Sequence, residues 1–307
     1  MNGPSDASAM ETVSCNACGS ENVRVLFHRP YREEILADGE SFAATTDQFQ
    51  GFGRIVRCVG CGLVFTNPRP REALLLKGYG ECVDETYLDE SSSRSINAHL
   101  SLRTIRRFKR SGRLLEVGAS TGYFLNAARV DFEVEGLEPS AWASKIARDR
   151  FRLDVHPETL ETARYEPESF DAVAMVDVIE HLADPKRAIE RAARLLKPGG
   201  VLYLMTPSIT SLSARLLGSY WWGLRPAHIY YFSPETIALL LESAGLEIKL
   251  TRSFGRIFTY GYWLSRLKHY PRAVSGAVAL AVRALDIEDK LLYLDTRDSM
   301  EVCAVKR

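Results

Sequence analysis

The stretch Leu114-Leu-Glu-Val-Gly-Ala-Ser-Thr-Gly122 decides the fold of this chain. Its apolar start is typical of a buried strand, and a helical pattern follows its second glycine. Gly118 and Gly122 let the backbone approach a ligand where a side chain would obstruct it, although a tight strand-to-helix turn alone would also use them. Ser120 stands at the second glycine position of the dinucleotide pattern Gly-x-Gly-x-x-Gly, which argues against a pyrophosphate site. We therefore expect a nucleotide-type loop between a strand and a helix.

Strand, turn and helix patterns alternate through the chain after this loop. Strand-like runs begin at Glu133 and Asp171, and helices are expected from Ser140 and Asp184. This alternation predicts an α/β fold with a mostly parallel, doubly wound sheet of seven strands. In such sheets ligands bind at the carboxyl ends of the strands, so the site residues should lie in the loops that follow them.

Glu138 ends the second strand of this pattern. It lies 20 residues after Gly118, where a carboxylate can accept hydrogen bonds from both hydroxyls of a ribose. The alternative role for Glu138 is an exposed cap of the helix that begins at Ser140. The glycine loop and this acid together favour a nucleoside-bearing ligand.

Two cysteine pairs lie in the amino-terminal part of the chain, Cys15 with Cys18 and Cys58 with Cys61, and a glycine follows each pair. A gap of two residues lets both thiolates of a pair bind one ion, and the glycine lets the backbone turn sharply beneath the sulfurs. Four sulfur ligands leave no open position for a substrate. We therefore expect structural zinc, with iron as the alternative.

The patterns divide the chain into three segments. We expect a zinc-ribbon-like metal module over residues 1–70, a helical linker over 71–113 and the main α/β domain over 114–307. A mainly helical insertion is expected over 256–298, before a last strand at 299–305.

Taken together, these motifs resemble the class I S-adenosylmethionine-dependent methyltransferases, and their order and spacing fit a small-molecule branch that carries an amino-terminal zinc ribbon. The resemblance runs from Leu114 to Leu250. It implies a Rossmann-like, seven-stranded fold and S-adenosyl-L-methionine as the cofactor. The matching pieces are LLEVGASTG, GLEPS, FDAVAMVDVIEHLADP, LLKPGGVLYLMTPS and HIYYFSPETIALLLESAGL.

The resemblance also implies roles for particular residues. In that family the acid before the first glycine and the glycine loop contact the methionine end of the cofactor, and the acid after the second strand holds the ribose. The loop after the fourth strand borders adenine and substrate. By position, the cofactor-binding residues here are Glu116, Gly118, Ala119, Ser120, Gly122, Glu138, Asp177 and Val178.

Two histidines are candidates for a catalytic base. Methyl transfer from a sulfonium is an in-line displacement, and a neutral histidine can remove the proton of an acceptor hydroxyl. His181 follows the fourth strand, and its alternative role is packing with a hydrogen bond to a backbone carbonyl. His228 resembles the histidine of the His-x-x-Tyr-Phe-Ser element in sugar methyltransferases with a zinc module. The residues at 224–227 lack the tyrosine and acid of the carbon-methylating members, which favours an oxygen acceptor, with Arg225 as an anchor for a substrate anion.

The composition and the motifs indicate which partners and which cellular location to expect. The 39 basic and 39 acidic residues cancel, and the Asn/Asp-Pro-Pro-Tyr tetrapeptide of enzymes that methylate base amines is absent, so a nucleic-acid partner is not expected. We expect no membrane span and a cytoplasmic location, because the first 14 residues show no signal-peptide pattern and no apolar tract approaches a spanning length.

The sequence thus predicts an S-adenosylmethionine-dependent methyltransferase that acts on a small molecule. The expected reaction is O-methylation of a sugar, a sugar nucleotide or a glycolipid or natural-product precursor, with a histidine base. One alternative is a methyltransferase of RNA or protein whose zinc module recognises the macromolecule. The other is a non-catalytic scaffold that keeps the cofactor. No pattern indicates an oligomeric state.

Overall fold

The computed structural model describes residues 9–30, 39–46, 51–267 and 272–307. The amino-terminal region contains five short strands, of which β2, β3 and β4 form an antiparallel meander and β1 pairs with β5. These strands are β1 (Met10–Glu11), β2 (Val23–Arg29), β3 (Gly53–Cys58), β4 (Val64–Thr66) and β5 (Arg69–Pro70).

Two helices connect this region to the main sheet, α1 (Glu72–Glu81) and α2 (Ser91–Ile105). The elements that follow them alternate between strand and helix at first. They are β6 (Gly112–Val117), α3 (Tyr123–Ala128), β7 (Phe132–Leu137), α4 (Ala141–Phe151), β8 (Val155–His156), β9 (Phe170–Val176), α5 (Pro185–Leu195), β10 (Leu196–Pro207), α6 (Leu212–Leu217), β11 (Tyr230–Tyr231), α7 (Pro234–Ser243), β12 (Leu246–Ser253), β13 (Arg256–Thr259), α8 (Tyr260–Leu267), α9 (Arg272–Ala284), β14 (Leu291–Leu294) and β15 (Ser299–Lys306).

The main sheet has seven strands in the order β12-β15-β10-β9-β6-β7-β8, which confirms the expected fold class. The five strands from β8 to β10 in this order run parallel, and β15 is antiparallel to both of its neighbours. The chain passes from β6 to β7 on one side, and β9 pairs with β6 on the other. This reversal of strand order creates a crevice at the carboxyl ends of β6 and β9, where such folds bind ligands.

Burial on both faces explains why the central strands are continuous apolar runs. Residues 172–175 of β9 are almost fully buried, as are residues 201–205 of β10. Parallel sheets are covered by helices on both faces, so their strands show no alternation of apolar and polar residues. The apolar core therefore lies on both sides of this sheet.

The amino-terminal region and the main domain contribute strands to one sheet. β11 pairs antiparallel with β4, placing Tyr230 opposite Phe65, and so completes a four-stranded sheet. Phe65, Tyr230 and Phe232 belong to one apolar cluster that continues into the main domain. The described residues of the segment 1–70 therefore pack against the remainder of the chain.

The segment 256–298 differs from the mainly helical insertion that the sequence suggests. It contains α8 and α9, but β13 and β14 pair antiparallel beside them. Leu291–Leu294 is apolar at every position and has no period of two, so its pattern does not reveal a strand. None of the described helices is both long and apolar enough to cross a bilayer.

Candidate functional site

A cavity of about 610 Å³ lies at the carboxyl ends of the parallel strands. One part of its wall, which we call the glycine-loop end, contains Glu116, Gly118 and Glu138. Another part, which we call the histidine end, contains His181 and His228. The structure thus brings the candidate cofactor-binding residues and both candidate catalytic histidines around one cavity.

The glycine loop is held against the next strand by its backbone. The N–H groups of Gly118 and Ala119 both donate to the carbonyl of Leu137, at 2.8 and 2.9 Å. Gly118 has φ +75°, and a Cβ placed on it would lie 2.4 Å from Cγ2 of Val178. A side chain at this position would therefore clash with the loop after β9.

Glu138 is fixed at the cavity edge by two backbone donors. The N–H of Ser120 donates to one carboxylate oxygen and the N–H of Ser140 to the other, both at 2.8 Å. The residue is 9% exposed, and burial raises the pKa of its carboxyl group. Ser140, rather than Glu138, caps helix α4 with its side chain, accepting from the N–H of Ala143 at 3.1 Å. The exposed-cap alternative for Glu138 does not describe this arrangement.

Glu116 lies deeper in the glycine-loop end and is 3% exposed. Its Oε2 atom has no hydrogen-bond partner among the described residues. Burial, and after it the charge of Glu138, holds the pKa of Glu116 well above its usual range. A buried carboxylate oxygen without a partner favours a ligand that brings a donor or a positive charge.

Asp177 and Val178 also line the cavity. Asp177 has φ +54°, an uncommon conformation for a residue other than glycine. Its Oδ1 accepts a hydrogen bond from Nη2 of Arg256 at 2.6 Å. Arg256 lines the cavity but was not among the residues that the sequence predicts. It lies 79 positions from Asp177, and no local motif connects the two.

The two histidines contact each other in the wall of the cavity. Their ring centroids are 4.7 Å apart, with the rings edge to face. Nδ1 of His228 lies 2.8 Å from the carbonyl oxygen of Gly223, and Nδ1 of His181 lies 2.9 Å from that of Ala227. Tyr79, which the sequence did not single out, places its hydroxyl against the same Nδ1 of His181.

Burial affects the charge of both rings. It lowers the pKa of His181 to about 4, and burial together with the neighbouring His181 lowers the pKa of His228 well below its usual range. Both imidazoles are therefore neutral at pH 7. A neutral imidazole can accept a proton or bind a metal ion.

Glu180 is a third member of this group and is 2% exposed. Its Oε2 accepts from the hydroxyl of Thr206 at 3.0 Å, whereas its Oε1 has no partner among the described residues. Burial and the charge of Asp177 raise its pKa to about 8. Glu180 is not among the residues that the sequence predicts, although it directly precedes His181.

Arg225 has a different environment from the one expected for a substrate anchor. Its Nη2 donates to the carbonyl of Ala43 at 2.8 Å and its Nη1 to that of Ala44 at 3.2 Å. Burial lowers the pKa of this guanidinium. In this structure Arg225 tethers residues 43–44 to the cavity wall.

The four amino-terminal cysteines converge as expected. Their sulfur atoms all lie within 4.8 Å of one another, with Cys15 to Cys61 at 3.4 Å and Cys18 to Cys58 at 3.5 Å. Four thiolates around one zinc ion at about 2.3 Å would be about 3.8 Å apart, so the cluster has the size of a tetrahedral metal site.

The cysteine cluster is connected to the wall of the cavity. Nδ2 of Asn16 donates to Oδ1 of Asp184 at 2.9 Å, and Oδ1 of Asn16 accepts from the N–H of Lys186 at 2.9 Å. Asp184 caps helix α5, which begins a few residues after His181. The position of the first cysteine loop is thus coupled to the histidine end.

Comparison with known proteins agrees with this arrangement. The family model described as "Methyltransferase domain" matches residues 91–250, slightly more than half of the chain. Among curated relatives, a ubiquinone biosynthesis O-methyltransferase of Xanthomonas campestris is 31% identical over 185 residues, covering 56% of this chain and 76% of that protein. One of the same name from Chelativorans is 31% identical over 150 residues, covering 45% of this chain and 59% of that protein.

Solved structures show the same fold. An S-adenosylmethionine-dependent methyltransferase of Thermotoga maritima superposes with a TM-score of 0.50 and 23% identity, covering 72% of this chain and 95% of that one. The YcgJ protein of Bacillus subtilis also gives 0.50, with 16% identity and 69% and 98% coverage. At these identities the likeness concerns the fold. With the family match over half of its length, this chain belongs to the methyltransferase-domain family and is an S-adenosylmethionine-dependent methyltransferase.

Proposed function

We propose that this enzyme methylates a hydroxyl oxygen of a small molecule bound at the histidine end of the cavity. The observation that carries the proposal is the single cavity, with two buried acids and the glycine loop at one end and two neutral histidines at the other. The names of the curated relatives, which are O-methyltransferases, support an oxygen acceptor.

The glycine-loop end fits S-adenosylmethionine. Glu138 presents a fixed carboxylate that can accept from the ribose hydroxyls, and the unpartnered Oε2 of Glu116 suits the ammonium group at the methionine end. The absence of a side chain at Gly118 lets the glycine loop pack against Val178 in the loop after β9. When bound, the cofactor supplies an electrophilic methyl group on a sulfonium. The protein's residues then serve to orient the donor and to exclude water.

The histidine end fits the acceptor. A hydrogen on Nδ1 would satisfy the carbonyl oxygen that each ring faces and would leave the lone pair of Nε2 free. At His181 the Tyr79 hydroxyl would then accept from, or lie beside, the same Nδ1–H. We propose His228, with His181 beside it, as the direct acceptor of the hydroxyl proton. The segment 256–298 would cover this end, since Phe258, Tyr262 and Trp263 line the cavity.

The acceptor itself is a hydroxylated ring in this proposal. The aromatic side chains of the cavity suit a flat aromatic acceptor, and they can also stack on the face of a sugar. The sugar or sugar nucleotide expected from the sequence and a hydroxylated aromatic compound are therefore the two classes to test.

We propose structural zinc for the cysteine cluster, because four thiolates close the coordination sphere of a tetrahedral ion. One zinc per chain in the purified protein supports this assignment. Iron in its place would contradict it.

The test is transfer of a labelled methyl group to panels of sugar nucleotides and hydroxylated aromatics. We expect His228→Ala to lower kcat by about 10²- to 10⁴-fold, with cofactor affinity retained. His99→Ala, an exposed histidine on α2, is the matched control. Transfer only to RNA or protein would support the macromolecular alternative, and cofactor binding without any transfer would support the scaffold.

A further inference from the structure

Glu180, His181 and His228 form a compact group of ligand atoms outside the cysteine cluster. One carboxylate oxygen and one ring nitrogen from each histidine lie within 4.8 Å of one another. Ligands at about 2.1 Å from a shared ion are about 3 to 3.5 Å apart, so small side-chain rotations would complete the geometry.

The hydrogen bonds of the two rings are made by Nδ1. Nδ1 of His228 and Nδ1 of His181 each face a backbone carbonyl oxygen, at 2.8 and 2.9 Å. A histidine that binds a metal typically donates its other ring N–H in this way, which fixes the orientation of the ring. Nε2 of both rings is therefore available as a ligand.

One carboxylate oxygen of Glu180, Oε1, also has no hydrogen-bond partner among the described residues. The residue is 2% exposed, and the hydroxyl of Thr206 holds Oε2. The nearby guanidinium of Arg256 is paired with Asp177. A buried carboxylate oxygen of this kind is explained by a cation.

We propose that Glu180, His181 and His228 bind a divalent first-row transition-metal cation, and that this cation coordinates the hydroxyl that receives the methyl group. Two imidazoles and one carboxylate favour Mn²⁺, Fe²⁺, Co²⁺ or Zn²⁺ over Mg²⁺ and Ca²⁺, which prefer oxygen ligands. Three protein ligands leave coordination positions open, in contrast to the four cysteines. The inference rests on the proposed function for the identity of the acceptor; direct proton transfer to His228 describes the metal-free site, whereas with the cation bound both histidines are ligands.

The cation would act as a Lewis acid. Coordination lowers the pKa of the acceptor hydroxyl, so that its proton passes to solvent. The oxygen lone pair then forms a bond to the methyl carbon while the carbon–sulfur bond breaks and its electrons go to sulfur. The products are a methyl ether, S-adenosylhomocysteine and a proton. A ring with two adjacent hydroxyls could occupy two open positions and would be held in a fixed orientation.

Cobalt binding to the zinc-loaded protein tests this site without relying on activity. Co²⁺ held by imidazole and carboxylate gives weak visible bands, whereas Co²⁺ held by cysteine adds intense thiolate bands in the near ultraviolet. We expect one Co²⁺ per chain with visible bands only, and at least tenfold weaker binding in Glu180→Gln and in His228→Ala. Zinc content and circular dichroism verify that the variants fold.

A second acid–histidine group provides the control. Ligand atoms of Glu135, Asp154 and His156 are also within 4.8 Å of one another, but Asp154 is exposed and Glu135 is paired with Arg113. Glu135→Gln should leave cobalt binding unchanged. Equal binding in Glu180→Gln and the parent, or cobalt bound only through thiolates, would overturn the proposal.

The metal site and the proposed function can fail separately. Protein that retains one zinc and no second metal could still transfer methyl groups to a hydroxylated ring at full rate. That result would contradict the proposed cation and would still support the proposed function. Cobalt binding at Glu180 without transfer to any hydroxylated ring would support the cation and contradict the function.

Discussion

The two ends of the cavity are built in different ways. The glycine-loop end is formed by two consecutive strand-to-helix loops, from Glu116 to Ser140, and its contacts are mainly backbone hydrogen bonds. The histidine end is assembled from side chains far apart in sequence, such as Tyr79, His181 and His228. The first end depends on local chain geometry, and the second depends on the packing of distant segments. Changes that disturb packing should therefore affect the second end first.

The largest effect is expected from Cys58→Ser. Loss of this ligand should release the metal and unfold the amino-terminal sheet, because binding of a structural metal contributes directly to folding. That sheet contains β11, which lies two residues after His228, so the histidine end should lose its geometry. We expect methyl transfer to fall on the order of 100-fold or more, with a much smaller change in affinity for S-adenosylhomocysteine.

Limited proteolysis and calorimetry measure the two consequences of Cys58→Ser separately. Val59→Ser changes an exposed residue in the same cysteine loop and should behave like the parent. A proteolysis pattern of Cys58→Ser identical to that of the parent would contradict the structural role of the metal.

Gly118→Ala should affect the glycine-loop end of the cavity. The added Cβ would meet Val178 at 2.4 Å, and the backbone conformation with φ +75° disfavours any side chain. Strain and overpacking together predict cofactor binding weakened on the order of 100-fold, as measured by calorimetry. Gly199→Ala is the matched control, since φ is +73° there and nothing lies within 4 Å of the added carbon. Comparable weakening in both variants would mean that the contact with Val178 is unimportant.

The smallest effect is expected from Glu116→Gln, and it concerns stability. The pKa of Glu116 is raised in the folded chain, so above the unfolded value near 4.5 the folded state binds more protons and stability falls as the pH rises. Removing the ionisable group should raise the Tm of the cofactor-free protein by about 2–4 °C at pH 7. The gain should shrink as the pH approaches 4.5.

Thermal unfolding across this pH range, without cofactor, measures the effect of Glu116→Gln. Glu133→Gln, at an exposed position of β7, should leave Tm unchanged. A Tm for Glu116→Gln that is lower than the parent's, or a difference independent of pH, would show that Glu116 is not a destabilising buried acid.

The fold was largely predictable because its central strands carry a strong local signal. A strand buried on both faces, such as β9, is a continuous apolar run from residue 172 to its end. The pairing of β11 with β4 was not predictable, since β11 has two residues and its partner lies more than 160 positions away. The pairing of β13 with β14 was not predictable either, since both strands are short and α8 and α9 lie between them in the chain.

The candidate site also has one part that could be predicted from the sequence and one part that could not. The residues around Gly118 and Glu138 form short motifs, so their proximity could be predicted before the structure. Glu180 and Arg256 were missed because nothing in the local sequence shows that one has an unpartnered oxygen and that the other pairs with Asp177. These properties arise from burial and from long-range packing, which a single sequence does not display.

The most direct test of two separate ends is calorimetric titration with S-adenosylhomocysteine of the parent, Glu138→Ala and His228→Ala. Loss of the charge-assisted hydrogen bonds at Glu138 should cost about 1–3 kcal/mol, or about 5- to 150-fold in affinity. His228→Ala should bind like the parent, because His228 contacts Gly223 and His181 rather than the glycine loop. Unchanged affinity in Glu138→Ala, or an equal loss in His228→Ala, would contradict the assignment of the two ends.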